Sequence, residues 1–195
     1  MGAGQRQDWL ATVLTGVVKL SKTMADGRHQ IVGLLFASDL LGRPFGSGSA
    51  FTAEAATAVE LCCLDRHYFE DLMLKSVEMK QLFLERTLNE MDAAREWMLL
   101  LGRKTAEEKV ASLILIMANR MHSAAADEPA QPRALHYDLP LSRTEMAEYL
   151  GLRVETVSRQ LGRLRAGGVI ETENGRTITV LDIGKLGRMA GHESG

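Results

Sequence analysis

Glu155, Ser158 and Arg159 are spaced so that a helix would carry them on one face, and together they are equipped to read base-pair edges. An arginine can bond bidentately to O6 and N7 of guanine, a glutamate can accept from N4 of cytosine, and a serine can serve base or phosphate. At about 100° per residue, Val154, Val157, Leu161 and Leu164 gather on the other side, while Gly162 falls with the polar trio. Arg143, Arg153, Arg163 and Arg165 surround this face, and Arg176 lies beyond it; each could neutralise a phosphate. Glu155 and Arg159 are also an acid-first i, i+4 pair. On many helices such a pair is only a solvated ion pair worth about 0.2 to 0.5 kcal/mol, so the spacing alone does not decide.

Other chemistry is sparse. Cys62 and Cys63, the only cysteines, are adjacent and cannot by themselves build a disulfide framework or close a metal site. Their plain expectation is two small buried strand residues. The five His are scattered, and no Ser/His/acid set, phosphate-cradling Gly loop or paired-carboxylate cleft can be read, which argues against an enzyme. A formal net charge of -2 is not that of a protein that coats nucleic acid, so DNA binding must rest on a local patch.

The elements around the trio have distinct local signals. Ser142 and Glu145 form a capping box after Pro140, opening a short helix whose Met146, Ala147 and Leu150 share a side. Gly151-Leu152-Arg153 has the length of the turn between two helices of a DNA-reading motif. The second helix spans Val154 to about Ala166 and is closed by Gly167-Gly168. Val169 to Glu173 and Arg176 to Val180 then flank Asn174-Gly175, a type I′ hairpin signal. The whole reads as a winged helix-turn-helix, a module that binds DNA and, as the alternative, can contact protein.

Before this module, Thr12 to Lys22, Gln30 to Phe36 and Thr57 to Leu64 read as β-strands, with Asp26-Gly27 as a hairpin turn. Val77 to Leu101 contains no Gly or Pro and predicts one long helix. Its Leu84, Leu88, Met91 and Met98 follow a 4-3-4-3 pattern interrupted only by Arg95. Such a narrow stripe suits pairing with a second copy, or packing on the chain's own sheet. A further helix starts at Thr105, whose box partner is Glu108, and buries Val110, Leu113, Ile114 and Met117. Ser123 to Arg133 reads as a loop.

The segments EWMLLLGRKTAEEKVASLI and LPLSRTEMAEYLGLRVETVSRQLGRLRAGGVIE, with the motif Glu155-Thr156-Val157-Ser158-Arg159, resemble the CRP/FNR family of bacterial transcription regulators, in particular its FNR branch. The resemblance covers nearly the whole chain. It implies an α+β fold: a partial N-terminal β-roll of the cupin-like, cyclic-nucleotide-binding type over residues 1–76, a dimerisation helix over 77–102 and a winged helix-turn-helix over 103–195. It further implies a homodimer joined through Leu84, Leu88, Met91, Arg95 and Met98, binding two-fold DNA sites with TTGAT-like halves, with RNA polymerase as a further partner. Glu155, Thr156, Ser158 and Arg159, with Arg143, Arg153, Arg163 and Arg176, are then the DNA-contacting residues. Arg153 departs from relatives that place a capping Thr or Ser there, which assigns it to phosphate instead.

FNR proteins sense oxygen through a [4Fe-4S] cluster on four cysteines. Cys62 matches the last ligand by its spacing to Phe69, but the three N-terminal cysteines and the first strands of the roll have no counterpart. The sequence is therefore expected to be a fragment or truncated form that binds no cluster as written, since one or two adjacent thiolates cannot hold a cubane. A cluster-free, FixK-like regulator is the alternative. Cyclic nucleotide is not expected: the Gly-Glu and Arg-Ser pairs that anchor cAMP are replaced by Gly42-Arg43-Pro44 and Ala50-Phe51-Thr52-Ala53.

A chain of 195 residues that is 46% hydrophobic can bury ample cores. It has neither a membrane-span-length apolar run nor a secretory leader, which predicts a cytoplasmic location.

Overall fold

The computed structural model describes residues 2–4, 7–46, 48–123 and 135–191. Apart from Ser123, which ends a helix, the expected loop up to Arg133 lies outside the described residues. The chain divides into two compact units, Met1–Met98 and Leu99–Gly195.

The first unit contains two small antiparallel sheets. In one, β1 (Trp9–Thr15) lies between β4 (Leu40–Leu41) and β6 (Glu60–Asp65); in the other, β2 (Val18–Thr23) lies between β3 (His29–Leu35) and β5 (Thr52–Ala55). The expected single strand from Thr12 to Lys22 is in fact two strands in different sheets. Gly16 turns the chain between them with φ +85°, where a Cβ would overlap the Ala58 carbonyl oxygen, so only glycine can make the corner. The hairpin at Asp26-Gly27 forms as expected between β2 and β3. Ala11, Val13, Val18, Leu41 and Ala53 form the core between the sheets.

Two helices follow. α1 (Arg66–Lys75), which carries no strong period and was not anticipated, is capped by the Asp65 carboxylate accepting from the Tyr68 amide. Its Phe69 and Met73 pack with Leu10, and with Met79 and Phe83 of α2 (Val77–Arg103). Phe69 meets Phe83 edge-on at 6.2 Å. The Arg86 guanidinium donates to the Ser38 carbonyl at 2.7 Å. The opposite face of α2 is bare among the described residues: Leu84 is 59% exposed, Leu88 46%, Met91 42% and Met98 65%. The stripe therefore does not serve packing on the chain's own sheet.

In the second unit α3 (Ala106–Ser123) begins at the expected box, with Thr105 N donating to Glu108 Oε2 at 2.7 Å and Glu108 N to Thr105 Oγ1 at 3.3 Å. Its Val110, Leu113, Ile114 and Met117 are completely buried, as the spacing requires. Around it lie β7 (Leu135–Asp138), α4 (Arg143–Leu150), α5 (Val154–Ala166), β8 (Ile170–Glu173), β9 (Thr177–Val180) and α6 (Ile183–Met189). The strands form one sheet in the order β7-β9-β8, so the wing hairpin gains a third strand that sequence reading missed. Tyr137 on β7 donates its hydroxyl to the Ile114 carbonyl at 2.9 Å, tying sheet to helix. α6 is held at its end by Lys104, whose Nζ donates to the Ala190 carbonyl at 2.7 Å.

Candidate nucleic-acid interface

The recognition element is built from its ends inward. Ser142 Oγ accepts from the Glu145 amide at 3.2 Å, and Glu145 Oε2 accepts from the Ser142 amide at 2.8 Å, completing the box that starts α4. Gly151, with φ 61°, ends α4 in the left-handed conformation. Arg153 is the N-cap of α5 and makes no side-chain cap bond; only its carbonyl accepts, from the Thr156 and Val157 amides. Its guanidinium therefore remains exposed and available. At the far end, Lys185 donates to the Gly167 carbonyl at 2.8 Å.

α5 is strongly two-faced. Val157, Leu161 and Leu164 are buried, Val154 is only half-buried, and Gln160 joins the buried side, which hydrophobic spacing could not reveal. Glu155, Ser158 and Arg159 are exposed on the opposite face, with Thr156 half-buried at its margin. In the wing, Asn174 (φ 49°) and Gly175 (φ 69°) both adopt the positive φ of a type I′ turn. Arg176 at the tip is exposed.

The arginines divide into two groups. Arg163 is engaged within the unit, 3.8 Å from a Glu107 carboxylate oxygen and 3.5 Å from Gln160 Oε1. Arg143, Arg153, Arg159, Arg165 and Arg176 pair with no carboxylate among the described residues. Cross-strand register puts Glu171 and Glu173 on one face of the wing sheet with His136 and Asp138, opposite the buried Ile170, Ile178 and Val180. The acids thus lie on the far side of the sheet from its core face, and α5 keeps a net cationic outer surface.

Cys62 and Cys63 are both exposed, against the expectation that they are buried. β6 is an edge strand that pairs only with β1 among the described residues, and its side chains are exposed from Glu60 to Asp65, so neither of its faces is covered there. Opposite Thr12 and Ala11 respectively, the two thiols point to opposite faces of the strand. They do not fit a shared [4Fe-4S] cluster, and the described residues contain no group of three His, Cys, Asp or Glu able to hold a metal ion. No described helix is long and apolar enough to cross a membrane.

A strand-rich unit followed by a long helix and a capped, winged helix-turn-helix defines a DNA-binding regulator. Comparison with known proteins supports this in both parts: residues 1–76 match the cyclic nucleotide-binding domain, and residues 108–189 match the Crp-like helix-turn-helix domain. The chain is 48% identical over 192 residues to the transcriptional activator protein FnrL of Cereibacter sphaeroides, covering 98% of this chain and 77% of that protein. It is 35% identical to the nitrogen fixation regulation protein FixK of Bradyrhizobium diazoefficiens, covering 91% of this chain and 72% of that one. Among solved structures, FixK2 from Bradyrhizobium japonicum superposes with a TM-score of 0.84 at 31% identity, covering 96% of this chain and 90% of that chain. The chain belongs to the CRP/FNR family of transcription regulators.

Proposed function

We propose that this chain acts as a homodimer on two-fold symmetric DNA with TTGAT-like half-sites, each half-site read by Glu155, Ser158 and Arg159 of one copy. One observation carries the reading: these three side chains project, without ion-pair partners among the described residues, from a helix whose other face is locked into a core. Arg143, Arg153, Thr156 and Arg176 take the sugar-phosphate backbone and fix the register. Arg163, engaged with Glu107, contributes less.

Residues 1–76 serve as the sensor domain, 77–102 as the dimerisation helix and 103–195 as the DNA-binding domain. Two recognition helices must sit about one helical turn of DNA, roughly 34 Å, apart, and pairing along Leu84, Leu88, Met91, Arg95 and Met98 would set that spacing. Likeness to FnrL and, at 31% identity, to the fumarate and nitrate reduction regulatory protein of Escherichia coli supports a role in oxygen and anaerobic control, in the cytoplasm and through RNA polymerase. Likeness to FixK, at 35% identity, favours a second reading of the signal, that of a cluster-free, FixK-like regulator.

Selection of bound duplexes from a random pool tests the proposal. Enrichment of a TTGAT-type palindrome is expected. Enrichment of nothing, with a protein partner retained by an Arg159→Ala variant, would reassign the winged helix to protein contact.

A further inference from the structure

We propose that Lys104 and Lys185 act as positioning residues for DNA binding, making α6 a strut between the α2–α3 junction and the C-terminal end of the recognition helix α5. The inference rests on the DNA-binding reading above and adds to it the means by which the junction sets the pose of α5.

Only Lys104 and Thr105 separate α2 from α3. The last turn of α2, from Leu99, belongs to the second unit, where Leu100 is buried, so every contact of the strut lies within that unit. The Lys104 ammonium donates to the Ala190 carbonyl at 2.7 Å and to Ser112 Oγ at 2.9 Å. Ser112, buried on α3, donates in turn to the same carbonyl at 3.3 Å. A buried hydroxyl without partners is costly, and Lys104 and Ala190 between them supply both of its bonds. Ala190 is the C-cap of α6, and the last carbonyls of a helix have no partner within it, so a cation there satisfies an end that the helix itself cannot.

The other end of α6 is fixed in the same way to a different element. Lys185, in its first turn, donates to the carbonyl of Gly167, the C-cap of α5, at 2.8 Å. Leu186 beside it is completely buried. Both lysines are half-buried and end on carbonyls, so both are engaged within the unit. At the start of α5 Arg153 makes no side-chain cap bond, and the Arg163–Glu107 pair on its flank is solvent-exposed and spans 3.8 Å. Such a pair fixes little, and the pose of the helix end leans on Lys185.

The composition of α6 makes both anchors necessary. With two glycines, Gly184 and Gly187, in seven residues, it is too short and too weak a helix to stand alone. A Cβ at Gly187 meets nothing within 4 Å, so close packing does not call for that glycine. α6 is stiff only while both of its ends are held, and freeing one end loosens its grip at the other.

Two readouts on the full chain test the strut. Lys104→Met keeps the apolar stem and removes the charge, whereas Lys104→Arg keeps a charge and donors. Without DNA, hydrogen exchange follows the Gly167, Gly168 and Val169 amides, which bond back to Arg163, Arg165 and Leu164 at the end of α5. Lys104→Met is expected to exchange there about tenfold faster than wild type, and Lys104→Arg to stay within about twofold of it. On DNA, wild type is expected to prefer the selected palindrome over one with a base pair inserted between its half-sites. That preference is expected to shrink in Lys104→Met and Lys185→Met alike, and to shrink no further in the double variant, because both cut one strut. Base preference within a half-site is expected to hold. Unchanged exchange at those amides, an unchanged spacing preference, or additive losses in the double variant overturns the strut. A uniform loss on every duplex that tracks a lowered melting temperature makes the lysines plain structural contacts and overturns it too. If Lys104→Met does not fold, Lys185→Met gives the test in reverse, with faster exchange expected at the Lys109 amide, which bonds to the Thr105 carbonyl at the junction. If wild type selects no palindrome, the DNA-binding reading fails, and the exchange measurement still decides the strut.

Discussion

Glu155 and Arg159 stand one helical turn apart on the exposed face of α5, acid first, and form no ion pair with each other. The spacing that in sequence was equally the mark of a solvated surface pair is, in the fold, two unengaged groups. Arg159→Ala is therefore expected to change stability by less than about 0.5 kcal/mol, as for an ordinary surface substitution. Thermal denaturation checks this, and a drop of several degrees would show that Arg159 supports the helix.

The Ser142–Glu145 box satisfies two amides at the start of α4. Ser142→Ala is expected to destabilise the protein by about 1 kcal/mol, measured by denaturant unfolding of the full chain. Ser142→Asp, which retains an acceptor, is expected to recover most of that loss.

At Gly151 the φ of 61° is the requirement and space is not, since a Cβ there meets nothing within 4 Å. Gly151→Ala should cost roughly 1 to 2 kcal/mol from the left-handed backbone alone. Gly151→Asn should cost less, because Asn tolerates that region better.

The bare stripe of α2 makes a separate prediction for assembly. Leu88→Asp is expected to shift sedimentation toward monomer and to weaken palindrome binding, with little effect on the melting of the monomer, because the side chain is already exposed. Arg95 interrupts the stripe and is bonded within its own chain to Asp92 at 2.7 Å. Arg95→Leu should tighten self-association.

Alkaline pH probes the second unit's core. Burial raises the pKa of the Tyr137 and Tyr149 hydroxyls well above the ordinary 10.0. The folded chain keeps these protons where the unfolded chain releases them, so the stability they contribute is intact below about pH 10 and is lost as pH rises beyond it. A Tyr137→Phe, Tyr149→Phe variant is expected to lose less stability than wild type between neutral and strongly alkaline pH. At neutral pH, Tyr137→Phe alone should cost about 1 kcal/mol through its lost bond to Ile114.

What the sequence made legible were features encoded within a few residues: the boxes at Thr105 and Ser142, the Gly151 cap, the Asn174-Gly175 turn and the two-faced pattern of α5. What it hid depends on contacts made across the chain. β7 is recognisable only through its pairing with β9, and the strand break at Gly16 only through the close approach of Ala58. The burial of Gln160 and the capping role of Lys185 arise from neighbouring elements. Cys62 and Cys63 were expected to be buried because they are small strand residues, whereas burial on a strand depends on what flanks it. Arg163 and Arg165 look interchangeable in sequence, and only the position of Glu107 separates them.

The central claim is that Arg159 reads a specific base, and a double-mutant cycle tests it most directly. Wild type and Arg159→Ala are each titrated against the selected palindrome and against one in which the single G·C pair of each TTGAT half-site is replaced. Wild type is expected to lose about 1 to 3 kcal/mol per half-site on the replaced sequence, and Arg159→Ala to bind both duplexes alike. If Arg159→Ala discriminates between the two duplexes as strongly as wild type does, Arg159 is not the reader.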